Sequence, residues 1–199
     1  MPSLIYRSPI LYELSMTALY GRHYDARYRA VADLIEPESS VLDLCCGPAV
    51  IYRRYLRKKG IAYSGFDINP VFVEKVIDRG ALARQRDVSD PQPLPQADYV
   101  LMQASLYHFL PDPQPLLRRM VEAARRAVII AEPIRNLATS RSPFLSSLGS
   151  LLSDAGNGAE RLRFTEAALD ETIAECFGSI AGSFLIEGGR EKVYVHYLK

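Results

Sequence analysis

The spacing of apolar positions changes several times along the chain, and each change marks an element. After Ser8-Pro9, residues Ile10, Leu11, Leu14, Ala18 and Leu19 recur at helical spacing until Gly21, which predicts a first helix ahead of any strand. A second helix is predicted from Tyr24 to Ile35, with Tyr24, Tyr28, Val31, Ala32 and Ile35 on one face and Pro37 beyond its end. Val41 to Cys45 is then a short apolar run of the kind found in a strand covered on both faces, broken at Cys46-Gly47-Pro48.

From there helical and strand-like segments alternate. A helix is predicted over Val50 to Lys59, a strand over Ile61 to Phe66, a helix over Val71 to Arg79 behind the Asn69-Pro70 cap, and a weak strand over Ala81 to Arg86. A strong strand over Asp98 to Gln103, a helix from Asp112-Pro113 to Arg125 and a strand over Ala127 to Ala131 continue the series. Such alternation specifies a parallel sheet with helices on both faces. Residues 135–163 depart from it: Phe144, Leu145, Leu148, Leu151 and Leu152 fall at helical spacing after a polar stretch, which predicts an inserted cover segment. Thr165 caps a helix to Phe177, and Ser179 to Ile186 with Lys192 to Leu198 form a terminal β-hairpin through Glu187-Gly188-Gly189-Arg190.

Composition narrows the class. The 199 residues, 48% hydrophobic and 24% charged, suit one globular domain with a core of its own. Twenty-four Lys and Arg against twenty-three Asp and Glu argue against a surface built to grip nucleic acid. The basic run Arg53, Arg54, Arg57, Lys58 and Lys59 reads as a solvated helix face. No apolar run reaches the roughly 18 residues that span a bilayer, and the first residues lack a secretory pattern. Cys45, Cys46 and Cys176, an odd set with two adjacent, point to reducing surroundings and hence a cytoplasmic location. With His23, His108 and His196 they show no metal-ligand spacing, so no metal is expected.

Open parallel sheets bind ligands beyond the carboxyl ends of their strands, beside the first strand and its turn. There Gly47 lets a ligand approach the backbone, and Asp43 supplies a carboxylate at the strand end. Asp67, ending the second strand, suits hydrogen bonds to ribose hydroxyls. Asp87, after the third, suits an exocyclic amine such as adenine N6.

Together these residues resemble the class I S-adenosylmethionine-dependent methyltransferases of the small-molecule branch, over residues 41–199. Val41-Leu42-Asp43-Leu44-Cys45-Cys46-Gly47 is similar to that family's first motif, with Cys45 and Ala49 standing where Gly is common. Gly65-Phe66-Asp67-Ile68-Asn69-Pro70 resembles the second, and Arg86-Asp87-Val88 the adenine segment. The stretch from Ala97 through Gln103 and Tyr107 to Asp112 resembles the fourth strand and its loop. The resemblance implies an α/β fold: a Rossmann-like seven-stranded mostly parallel sheet with an antiparallel terminal hairpin. It implies a single methyltransferase domain over residues 1–199, with 1–36 as a helical cap and 135–163 as the inserted cover. S-adenosylmethionine would be the cofactor, held by Asp43, Cys45, Gly47, Asp67, Ile68, Asp87, Val88 and Gln103, and S-adenosylhomocysteine the product.

His108 follows the fourth strand, where it is the candidate general base for a hydroxyl acceptor, although the adjoining Tyr107 and Phe109 favour a packed structural histidine. Tyr20, Arg22 and Tyr24, with His23, sit in the break between the first two helices, either closing over cofactor and substrate or forming a surface turn; Tyr107 joins them on the substrate side. The apolar run Phe144 to Leu152 suggests a small, apolar or lipid-like acceptor. A nicotinamide dehydrogenase is disfavoured: the first turn lacks G-x-G-x-x-G, and the Y-x-x-x-K spacing at Tyr55 to Lys59 comes too early. A nucleic-acid amino-methyltransferase would carry an Asp/Asn-Pro-Pro-aromatic loop where this chain reads Gln103-Ala104-Ser105-Leu106. The rival of another class is a non-catalytic cofactor-binding or partner-binding protein, for which the apolar insert would serve as a contact or homodimer surface.

Overall fold

A computed structural model describes residues 7–134, 163–178 and 182–198. Its helices are α1 (Pro9–Tyr20), α2 (Tyr24–Ala32), α3 (Val50–Arg54), α4 (Pro70–Asp78), α5 (Gln114–Ala123) and α6 (Glu166–Phe177). Its strands are β1 (Ser40–Leu44), β2 (Ala62–Asp67), β3 (Leu82–Gln85), β4 (Ala97–Gln103), β5 (Ala124–Pro133), β6 (Gly182–Leu185) and β7 (Glu191–Tyr197). They make one seven-stranded sheet in the order β3-β2-β1-β4-β5-β7-β6. Neighbouring strands are parallel from β3 through β5, and β7 runs antiparallel to both β5 and β6. The expected mostly parallel, Rossmann-like sheet with its terminal hairpin is the one observed.

The sheet is buried on both faces because its central strands carry apolar residues at consecutive positions. Val41, Tyr99, Leu101, Ile129, Val193 and Val195 pack on the side of α1, α2 and α3. Leu42, Leu44, Val100, Met102, Val128, Ile130 and Tyr194 pack on the side of α5 and α6. Side-chain alternation along each strand assigns odd positions to one layer and even positions to the other.

Several boundaries differ from the sequence reading. Helix α1 buries Met16, Leu19 and Tyr20, while Ile10, Leu11, Leu14 and Ala18 lie outside. The helix is apolar on both faces, so spacing alone did not distinguish them. The helix expected over Val50 to Lys59 breaks at Tyr55 (φ −127°, ψ −55°) into α3 and a 3-10 turn, Leu56–Lys59. Helix α5 stops at Ala123 because Ala124 is already extended at the start of β5. The basic run is a solvated face at Arg54, Arg57 and Lys58, and it also supplies ties to the N-terminal helices. Arg53 pairs with Glu13, Arg54 pairs with Asp25, and Lys59 Nζ donates to the carbonyls of Ala32 and Ile35. The inserted cover, apart from Arg163, lies outside the described residues, as does the start of the expected hairpin at 179–181. Among the described residues no helix is long and apolar enough to cross a membrane, and no cluster of potential metal ligands occurs.

Candidate active site

Register places the site. Leu44 pairs with Phe66 on one side and Met102 on the other, and Asp67 pairs with Gln85. The segments that follow these strand ends therefore leave the sheet side by side, at the point where strand order reverses between β1 and β4. All eight candidate cofactor residues, Asp43, Cys45, Gly47, Asp67, Ile68, Asp87, Val88 and Gln103, are thereby brought to one edge.

The first turn is held in an unusual conformation. Cys45, Gly47 and Ala49 all have positive φ, at 57°, 53° and 49°. Left-handed backbone costs a residue with a Cβ roughly 1–2 kcal/mol, which is the physical meaning of a glycine preference at these positions. The turn is fixed by amides: Cys46 N donates to Phe66 O over 2.9 Å and Gly47 N to Asp67 Oδ2 over 2.8 Å. Asp67 Oδ1 accepts from Asn69 N at 2.8 Å, so one carboxylate links the first two turns. Cys46 also explains Gly65, since a Cβ there would stand 2.7 Å from the Cys46 sulfur.

Two acids are buried here. Desolvation pushes Asp43 up to about 7, opposed by the Tyr63 hydroxyl that donates to it and reinforced by Asp67. Burial likewise raises Asp67, against the amides of Asn69 and Gly47. Burial, with the nearby carboxylates, pushes the Cys45 and Cys46 thiols well up, so neither is a poised nucleophile. Ile68 is exposed beside Asp67, and Val88 is buried. Asp87 Oδ1 accepts from the amide and hydroxyl of Ser89, and Gln103 Nε2 donates to Arg27 O.

Beyond β4 the 3-10 turn Leu106–Phe109 carries Tyr107 and His108. The Arg163 guanidinium lies 3.6 Å over the Tyr107 ring. Burial first and Arg163 second push His108 down to about 4, which keeps it neutral at pH 7. On the side of the N-terminal helices, Tyr20 is buried and donates to Glu191 Oε1 at 2.7 Å, and Tyr24 is buried with it. Arg22 is exposed; with Asp25 and Arg29 it lines a groove of about 310 Å³ between α2 and Phe184–Glu187.

Three residues that the sequence did not single out complete the picture. Arg27 is fully buried, pairs with Glu191 at 2.6 Å, and lies over the rings of Tyr20 and Tyr28. Glu132, at the end of β5, is fully buried and accepts from the amides of Ser105 and Leu106. A glutamate closing the run Val128-Ile129-Ile130-Ala131 was the available signal, since a carboxylate ending a buried strand must find donors. Arg163 sat at the edge of the irregular segment.

A family model described as a methyltransferase domain matches residues 18–155. The chain belongs to that methyltransferase family. Among curated members it is 33% identical to a trans-aconitate 2-methyltransferase of Mycolicibacterium gilvum, over 57% of this chain and 47% of the relative. A trans-aconitate 2-methyltransferase of Mycobacterium tuberculosis is 34% identical over 44% of this chain and 34% of its own. The chain thus matches less than half the length of these methyltransferases. Solved methyltransferase structures share the fold. Magnesium protoporphyrin IX methyltransferase from Synechocystis PCC 6803 with bound SAH gives a TM-score of 0.66 at 16% identity, covering 93% of each chain. A SAM-dependent methyltransferase from Thermotoga maritima gives 0.69 at 14%, covering 98% of each.

The residues present fit the family's cofactor. A Cβ on Gly47 would meet nothing within 4 Å, so the turn is open on that side, and each Asp67 oxygen keeps acceptor capacity beyond the one amide it receives.

Proposed function

We propose that this protein transfers the methyl group of S-adenosylmethionine to a small acid with an apolar body. The observation that carries the cofactor half is Asp67, whose carboxylate bridges the Gly47 and Asn69 amides beside exposed Ile68. In this reading Asp67 takes the ribose hydroxyls, Ile68 and Val88 flank the adenine, and Asp87 accepts from its amine. The backbone of Cys45 and Gly47, with Asp43 and Gln103, holds the methionine portion. The bound cofactor supplies an electrophilic methyl on a sulfonium. An acceptor oxygen bonds to that carbon while the carbon–sulfur bond breaks, its electron pair staying on sulfur, so the chain mainly orients the partners and excludes water.

An acid acceptor is supported by Arg163 beside Tyr107 and His108, and by relatives whose names specify trans-aconitate. A carboxylate is already ionised at neutral pH and needs no base, so His108 orients the acceptor. The apolar body rests on the run Phe144 to Leu152, outside the described residues.

Calorimetric titration with S-adenosylmethionine and S-adenosylhomocysteine, with NAD as control, tests the first half. Saturable binding of both, lost in Asp67→Ala, is the expected result; NAD binding in their place would refute it. Labelled methyl transfer to a panel of polycarboxylic acids, medium-chain fatty acids and matched alcohols tests the second. Alcohols outperforming their acids would overturn the acid assignment, and cofactor binding without any turnover would favour a non-catalytic protein.

A further inference from the structure

The loop after β4 leaves the sheet abruptly and is then held from below. Ala104 has φ +50°, and its amide still donates to Ala131 O over 2.7 Å, extending the β4–β5 ladder by one bond. The chain then turns into Leu106–Phe109, and the amides of Ser105 and Leu106 both donate to Glu132 Oε2 at 3.0 Å. The Ser105 hydroxyl closes back on Gln103 O at 3.0 Å, and Leu106 is sealed in the core. A left-handed alanine stores strain that only a well-determined surrounding can hold.

Glu132 is an expensive way to provide that hold. It is 0% exposed, and its second oxygen, Oε1, is buried without a hydrogen-bond partner among the described residues. Burial pushes the carboxyl up to about 8, with the Leu106 amide opposing and Glu191 adding to the rise. An apolar residue in its place would leave the Ser105 and Leu106 amides buried without an acceptor, so the carboxyl is tied to that turn.

We propose that Glu132 is the positioning residue of the acceptor half of the site, holding Tyr107 and His108 in place through the backbone of Ser105 and Leu106. This rests on the methyl-transfer reading above. Glu132 does not touch the reacting atoms; it acts through the turn. The cofactor half is held separately, by the Asp67 bridge between Gly47 and Asn69.

The separation gives the test. Glu132→Met removes the acceptor oxygen at similar volume, and Glu132→Gln keeps a carbonyl oxygen for the two amides. In Glu132→Met, S-adenosylhomocysteine should bind within about threefold of the parent chain by calorimetry. Methyl transfer to the best acid of the panel should fall by at least about thirtyfold, mostly in acceptor KM. Glu132→Gln should restore transfer to within about threefold. If Glu132→Met does not fold, Glu132→Asp, one methylene shorter, carries the same comparison. Cofactor affinity falling in step with transfer, Glu132→Gln failing to rescue, or Glu132→Met transferring normally would each overturn the assignment. Absence of S-adenosylhomocysteine binding in the parent chain would instead refute the cofactor reading. Amide exchange at Ser105 and Leu106 would still report whether Glu132 holds the turn.

Discussion

The Tyr63 hydroxyl donates to Asp43 Oδ2 across 2.7 Å, joining the second strand to the first beneath the turn that ends at Ala49. Asp43 is buried, with its carboxyl raised to about 7. A cationic cofactor is attracted to the ionised form, so affinity for S-adenosylmethionine should weaken by up to about tenfold per pH unit below 7 and level off above it. In Asp43→Asn the curve should be flat and low. Titrations at pH 5.5, 6.5, 7.5 and 8.5 decide this, and a flat curve for the parent chain would remove Asp43 from the cofactor's surroundings.

The same shift fixes a sign for stability. The folded Asp43 holds its proton up to about pH 7, whereas an unfolded Asp releases it near 4, so the folded state binds more protons in between. The ligand-free fold should therefore lose stability as pH rises from 4 to 7, with no further loss from this residue above. Urea midpoints of the parent chain and Asp43→Asn measure it; the variant's slope should be the shallower.

Cys45 and Ala49 hold left-handed backbone with a Cβ attached. Cys45→Gly and Ala49→Gly should each relieve strain that outweighs glycine's extra unfolded-state entropy, for a net gain of up to about 1 kcal/mol. Thermal unfolding of the two variants is the check. A loss at either position would mean that the packing of the side chain dominates over its backbone strain.

Arg27 and Glu191 form a buried ion pair completed by the Tyr20 hydroxyl. Arg27→Met leaves a buried carboxylate with one neutral donor, and should cost about 3–5 kcal/mol. Adding Glu191→Gln should recover part of that loss, a non-additivity that denaturant unfolding of the two single variants and the double variant would read directly.

His108 is held near 4 by burial and by Arg163. At saturating cofactor the transfer rate should show no histidine limb between pH 5.5 and 7. An inflection near 6.5 that disappears in His108→Asn would show an imidazole in ordinary surroundings and reopen the general-base role.

The sheet was legible because its central strands carry apolar residues on both faces, and the turn residues because Asp43, Gly47 and Asp67 sit at strand ends. Helix α1 was legible as a helix, but its inward face was not: Tyr12 and Met16 compete with Ile10 and Leu14 for it, and only tertiary contacts, such as Tyr12 against Phe72, decide between them. The ion pairs of Arg53 and Arg54 were not legible because their partners, Glu13 and Asp25, lie on helices α1 and α2. Glu132 escaped notice for a related reason. A single carboxylate reveals its worth only when the backbone amides that need it are known, and those belong to another strand's loop.

The pair formed by Arg27 and Glu191 spans 164 positions of sequence. By contrast, Asp43 and Tyr63, or Gly47 and Asp67, are separated by 20. A chain emerging from the ribosome can therefore close the β1–β2 turns early. The N-terminal helices must wait until β7 has been made before Arg27 meets its counter-charge. Docking of the N-terminal helices is thus set to be a late event in maturation, following the assembly of the turn between β1 and α3.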